Sequence, residues 1–241
     1  MLYQIFGRGL TTFVYTFKEV NTLDVQHEIL AHYFLQGDEQ GAEDYIKTLL
    51  EKHPRAYLYE DIITPAMYYV GELWEKNEIS VADEHLATAI CDFVLSKLDS
   101  ENGPVSRKHQ KKFKAMLFGV EEEQHYIGLK MVADTFKDHG WRVRYLGPAL
   151  PLEHSFTHIE KYRPDVIGIS AALPYRLKTI KRLLERFAHL DWNPLIMIGG
   201  RIVKKYDLKE FESDQVMVVK DLDHLKRWFN EGREETINET S

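Results

Sequence analysis

The chain has 241 residues and a formal net charge of −7, with 44% hydrophobic and 12% aromatic residues. That length allows one large domain or two modest ones, and that composition lies far from the disordered regime. The acidic balance implies no strongly basic face, so no direct nucleic-acid partner is expected.

The single cysteine, Cys91, sits in an apolar helical pattern and offers no disulfide framework, as suits a reducing compartment. The apolar stretch around Leu10–Phe17 is broken by threonines and too short to span a bilayer. No small-residue cleavage site follows a basic start. The expectation is a cytoplasmic protein with no membrane partner.

Residues 1–20 mix aromatic and β-branched side chains without a period and carry no assignment. From residue 21 the spacing becomes helical. Asn21 and Thr22 can cap a helix to about Leu35, with Val25, Ile29, Leu30 and Tyr33 on one side. Gln36-Gly37-Asp38 breaks it, and a second helix runs to about Lys52, with Ala42, Tyr45, Ile46 and Leu49 inward. His53-Pro54 ends that one. A third spans about Leu58 to Lys76 across Pro65, which predicts a kink or a new start there. A fourth runs from Ser80 to about Asp99, opening on a capping-box-like Ser80/Asp83. Short connections make these helices antiparallel neighbours, so residues 21–99 read as a four-helix bundle.

The last two helices hold Trp74, then Val81 and Glu84-His85. Taken singly, Trp74 reads as core, Glu84 as a carboxylate favoured by a helix N-terminus, and His85 as a satisfied histidine. Gathered at one end of a bundle, they can also line a pocket for a flat apolar ligand with polar edges.

Residues 100–112 are polar, carry Gly103-Pro104 and read as a linker. Residues 113–232 alternate strands and helices. Strands are expected over Lys112–Val120, Trp141–Leu146, Asp165–Ser170, Pro194–Ile198 and Gln215–Val219, with helices between and after them. The fold class is therefore α/β with an N-terminal all-α part: a bundle followed by a five-stranded parallel, doubly wound, flavodoxin-like sheet. Residues 233–241 form a polar tail.

The loops after strands one, three and four share one edge of such a sheet, where open parallel sheets bind ligands. The first carries Glu123-x-His125-x-x-Gly128, the second Ser170 and the third Gly199-Gly200. A carboxylate two residues from an imidazole can hold one ring nitrogen and leave the other for a metal. The Ser170 hydroxyl can bond that carboxylate, and the glycines let a ligand run against bare backbone. A zinc site from Glu123, His125 and His85 is the competing metal arrangement, and the acidic run Glu121–Glu123 with Lys220 weakly suggests a degenerate phosphoreceiver. No nucleophile–base pair, phosphate loop or zincin motif is present, so no intrinsic catalyst is expected.

Together these motifs resemble the cobalamin (vitamin B12)-binding domain, a family marked by Asp/Glu-x-His-x-x-Gly, a serine and Gly-Gly in these three loops. The resemblance implies that His125 is the lower axial ligand of cobalt in place of the cofactor's own base, supported by Glu123 and Ser170. Gly128, Gly199 and Gly200 would then line the groove for the nucleotide tail.

The bundle is similar to the helical cap over the corrin's upper face. Trp74, nine residues, then Glu84-His85 is similar to the motif of adenosylcobalamin photoreceptors of the CarH type. That likeness implies adenosylcobalamin, with methylcobalamin as the other form, and an upper ligand packed by Trp74, Val81, Glu84 and His85. It further implies a light-responsive sensor that signals by cap rearrangement to a protein partner or a second copy. The alternative is a corrinoid carrier subunit of a methyltransferase system.

Three features depart from the pattern. No helix-turn-helix segment precedes the bundle, so direct repression is not expected. Glu75 follows Trp74 where the best-known photoreceptors have a histidine. The loop after strand three reads Ser-Ala-Ala-Leu-Pro, without the threonine run of methyl carriers.

Overall fold

Two helices joined by a single glycine turn begin the described chain. The computed structural model describes residues 22–101 and 112–231. The unassigned start, most of the expected linker and the tail lie outside the described residues. Helix α1 spans Thr22–Gln36 and α2 Glu39–Leu50. Gly37 turns between them at φ +68, and Asp38 caps α2 by accepting from the Gly41 amide at 2.8 Å.

The third expected helix is three pieces in one run. Helix α3 (Arg55–Tyr57) passes into a π-helical turn at Leu58–Ile63 and then into α4, Thr64–Glu75. The Thr64 amide donates to the Tyr59 carbonyl, five residues back. That widened turn places Pro65 in the first turn of α4, where a missing N–H leaves no bond unmade. Helix α5 (Val81–Glu101) follows a turn through Asn77 at φ +58. It opens on a reciprocal capping box: the Ser80 amide donates to Asp83 Oδ2 at 2.8 Å and the Asp83 amide to Ser80 Oγ at 3.3 Å. Leu30, Phe34, Ile46, Leu58, Ile62, Ile63 and Leu95 are fully buried between the helices.

The second half alternates β1 (Lys114–Gly119), α6 (Ile127–Asp138), β2 (Arg142–Tyr145), α7 (Leu152–Tyr162), β3 (Val166–Ser170), α8 (Leu177–Phe187), β4 (Leu195–Gly199), α9 (Ile202–Lys205), β5 (Val216–Val218) and α10 (Leu222–Asn230). The five strands are parallel in the order β2-β1-β3-β4-β5, the flavodoxin-like arrangement the sequence predicts. Strands β1, β3 and β4 read as apolar runs because helices cover both their faces. The chain reverses direction across the sheet between β1 and β3, so the crevice at their carboxyl ends is the natural ligand position.

The helical half docks on α6 and α10. Phe136 lies edge-on to Phe229 and Trp141, and both Met131 and Phe136 are buried in a core shared with the bundle. Burying a side chain of that size contributes about 2 kcal/mol. Charged pairs border this seam. Lys130 Nζ donates to Asp92 Oδ1 at 2.6 Å and to Ser96 Oγ at 2.7 Å, and Lys137 Nζ to Asp99 Oδ2 at 2.7 Å. Asp134 is buried, and Lys137 Nζ at 3.0 Å and the Tyr59 hydroxyl at 3.4 Å partner it.

Candidate functional site

Register puts the three motif loops side by side. Gly119, Ser170 and Gly199 are successive partners across β1, β3 and β4, so the residues after them share one rim. From Gly119 the chain makes a tight turn: the Glu123 amide donates to the Val120 carbonyl at 2.9 Å, with Glu122 left-handed at φ +62. This turn sends the Glu123 side chain inward, where it is fully buried.

A buried carboxylate needs donors, and Glu123 has three. Oε1 accepts from the His125 amide at 3.0 Å and lies 2.5 Å from His125 Nδ1. Oε2 accepts from the Ala172 amide at 2.7 Å. Burial alone would push this carboxyl up; these hydrogen bonds outweigh it and bring its pKa down to about 2. An ionised Glu123 accepts only, so Nδ1 of His125 carries the proton. That leaves Nε2 as the ring nitrogen not engaged by Glu123, on a ring that is 47% exposed. A carboxylate that orients one imidazole nitrogen in this way is the arrangement in which the other nitrogen can serve a metal.

Around that ring the backbone is bare. A Cβ on Gly128 would meet nothing within 4 Å, and one on Gly199 only the Val219 carbonyl at 3.7 Å. Gly200 has a structural requirement: φ is +97, and a Cβ there would sit 2.2 Å from the Ala171 carbonyl oxygen and 2.9 Å from Ser170 Oγ. Ser170 is buried against Gly200 and does not bond Glu123. The expected hydroxyl–carboxylate bond is thus replaced by the Ala172 amide, because β3 carries its next backbone donor straight to the carboxylate.

On the helical side Trp74 is 47% exposed and Val81 56%, which corrects the reading of Trp74 as core. Trp74 closes α4 and Val81 opens α5, so both flank the polar turn rather than the bundle interior. Glu84 and His85 pair with each other, Oε2 to Nδ1 at 2.9 Å, and Glu84 Oε1 also accepts from Thr88 Oγ1 at 3.0 Å. Among the described residues no hydrogen bond or ion pair joins these four side chains to the rim loops. Next to the rim, Lys204 Nζ of α9 lies 5.7 Å from the Tyr68 ring centroid of α4.

The zinc arrangement is not formed. No group of three or more His, Cys, Asp or Glu that could hold a metal ion exists among the described residues. His85 bonds Glu84 and His125 bonds Glu123, in two separate pairs. A cavity of about 230 Å³ bordered by Arg55, Tyr59, Asp138, His139 and Lys226 lies at the other end of α6 and includes none of the motif residues. No helix among the described residues is long and apolar enough to cross a membrane.

Two contributors escape a reading of the sequence. Ala172 acts through a backbone amide, which has no residue signature. Arg176, whose Nη1 donates to Glu122 Oε2 at 2.7 Å and Nη2 to the Glu122 carbonyl at 2.9 Å, stands among the basic residues that precede and line α8.

The chain matches two family models, each described as a B12 binding domain, over residues 26–99 and 114–220. It is 29% identical over 172 residues to the HTH-type transcriptional repressor CarH of Myxococcus xanthus, covering 70% of this chain and 55% of the repressor. It is 24% identical over 206 residues to the methionine synthase of Mycobacterium leprae (strain TN), covering 80% of this chain and 17% of that enzyme. The chain thus spans about half the length of the first relative and under a fifth of the second. The monomethylamine corrinoid protein of Methanosarcina barkeri has the same fold, with a TM-score of 0.69 at 19% identity over 84% of this chain and 96% of that one. Helical and α/β segments matched in this order, around a rim carrying Glu123, His125 and the paired glycines, make this chain a member of the cobalamin-binding domain proteins, resembling CarH over the matched region.

Proposed function

We propose that this chain is a cobalamin-dependent sensor in which His125 Nε2 is the lower axial ligand of cobalt, and that it responds to light through adenosylcobalamin. The observation that carries this reading is the Glu123–His125 pair: a buried, ionised carboxylate fixes the protonated nitrogen and leaves the other on a ring that is 47% exposed. The surroundings fit a large flat cofactor. Gly128 and Gly199 leave open backbone beneath it, while Trp74 and Val81 present exposed apolar surface on the helical side. Bound adenosylcobalamin supplies a cobalt–carbon bond that light can break.

The chain's own residues supply the rest. Glu123 orients the imidazole and fixes the proton on Nδ1, and the Ala172 amide helps keep Glu123 ionised. Trp74 and Val81 cover the upper ligand, so a change in that ligand alters how well the helices pack over the rim. A differential contact of this kind biases a two-state equilibrium that a partner protein or a second copy can read. In this reading the chain is not an enzyme by itself and acts in the cytoplasm without contacting nucleic acid.

The test is the absorbance spectrum of the protein loaded with adenosylcobalamin in the dark, before and after green light, beside a His125→Ala control. The expected result is a histidine-ligated spectrum that changes on illumination and is absent in the variant. A spectrum indifferent to light removes the photochemical part, and one indifferent to His125→Ala removes the ligand assignment.

One observation favours a second reading, a corrinoid carrier for a methyltransferase. Position 75 is an exposed glutamate, so the capture of cobalt by a histidine at that place, which the photoreceptor resemblance implies, has no residue here. The relatives also include a methionine synthase. Methyl transfer from the loaded protein to a partner enzyme's acceptor would separate the two readings.

A further inference from the structure

We infer that Arg176 is a positioning residue for the His125 imidazole, acting through Glu122. This rests on the reading of His125 as the cobalt ligand. The Arg176 side chain is only 11% exposed, yet both of its hydrogen bonds end on one residue: Nη1 on Glu122 Oε2 at 2.7 Å and Nη2 on the Glu122 carbonyl at 2.9 Å. Its Nε is buried with no partner, so the fork is committed to Glu122. The Tyr175 ring covers the guanidinium, with Cζ 4.5 Å from the centroid.

The residue so held is the one in an unfavourable conformation. Glu122 sits at φ +62, a region that side chains other than glycine adopt at a cost and keep only when their surroundings impose it. Arg176 grips both the side chain and the carbonyl of that residue. The left-handed turn it holds is the one that directs the Glu123 carboxylate inward, to the Ala172 amide and to His125 Nδ1. Arg176 and Ala172 both belong to the segment after β3, so the loop after β1 is fixed to its neighbour at two adjacent points. Losing one should let the carboxylate, and the ring it orients, sample other positions.

The experiment titrates the full chain with hydroxocobalamin and follows the absorbance of histidine-ligated cobalt. It compares wild type, Arg176→Gln, His125→Ala and the double variant. A supporting carboxylate or its partner alters metal affinity by about 10-fold or more, so Arg176→Gln should raise Kd about 10-fold where His125 is present and less than about 2-fold where it is absent. In the cofactor-free protein the His125 amide, which donates to Glu123, should exchange its hydrogen faster in Arg176→Gln.

Should Arg176→Gln fold poorly, Glu122→Gln alters a side chain that is 75% exposed and keeps the carbonyl bond. It should shift Kd in the same direction by less. An Arg176→Gln effect that is absent, or equal with and without His125, overturns the positioning role while leaving the ligand reading intact. If His125→Ala binds as tightly as wild type, the ligand reading fails, and this inference with it.

Discussion

The Ala172 amide donates to Glu123 Oε2 at 2.7 Å, and this bond ties the loop after β3 to the loop after β1. It crosses the crevice where the sheet changes winding direction, so the same contact closes the fold and supports the histidine.

Glu123→Gln tests that double role. An amide can still accept from Ala172 but no longer holds a charge opposite the imidazole, so cobalamin affinity should fall about 10-fold by equilibrium titration. The acid limb of stability should change too. Glu123 titrates at about 2 in the fold against an ordinary 4.5, so its contribution is present above about pH 4.5 and lost as pH falls toward 2. That contribution is on the order of 3 kcal/mol. Urea unfolding between pH 3 and 7 should give a flatter profile for the variant than for wild type.

Two glycines should separate folding from binding. Gly200→Ala places a Cβ 2.2 Å from the Ala171 oxygen at a positive φ and should destabilise the fold by about 3 kcal/mol, read by denaturant unfolding. Gly128→Ala meets no protein atom and lies in α6, so stability should hold or rise by about 0.5 kcal/mol. Its effect should appear instead as weaker cobalamin binding.

Trp74 is half in solvent, so Trp74→Ala should cost the cofactor-free protein no more than about 1 kcal/mol. If the ring covers the upper ligand, the variant should bind adenosylcobalamin and methylcobalamin with nearly equal affinity. Retained preference for the adenosyl form would remove Trp74 from the site.

Glu60 predicts a second pH dependence at the seam between the helices and α10. Burial, and then the Asp223 and Asp221 carboxylates, push it up to about 6 against the Lys226 ammonium 3.7 Å away. Because the folded pKa lies above the ordinary 4.5, the fold gains from protonation: the gain is complete below about pH 4.5 and lost as pH rises through 6. Glu60→Gln should therefore raise the melting temperature at pH 7.5 and leave it unchanged near pH 4.5. The expected difference is about 1 kcal/mol, since solvent screens part of the interaction.

Much of this architecture was legible because hydrophobic period and punctuation agreed. Strands β1, β3 and β4 appear as apolar runs ending in loops with glycine or serine, and α6 from the spacing of Ile127, Met131 and Phe136. The π-helical turn before Pro65 was not legible, since its five-residue hydrogen bond leaves no compositional mark. Nor was the burial of Asp134, which depends on Lys137 and Tyr59 arriving from two elements. In the site, Glu123 and His125 could be paired from their spacing alone. The bond the sequence suggests for Ser170 is made by the Ala172 backbone amide, and in the sequence Arg176 looks like any other solvated cation.

Lys130 and Lys137 lie two turns apart on α6, and each reaches across to α5. That pair of tethers fastens α5 along α6, the helix that begins two residues after His125. Helix α4 meets α9 through the Lys204–Tyr68 contact and passes into α5 through the left-handed turn at Asn77. Trp74, in the last turn of α4, stands beside that turn, where the Asn77 amide donates to its carbonyl at 2.9 Å, so its ring is held at a joint rather than at the end of an arm.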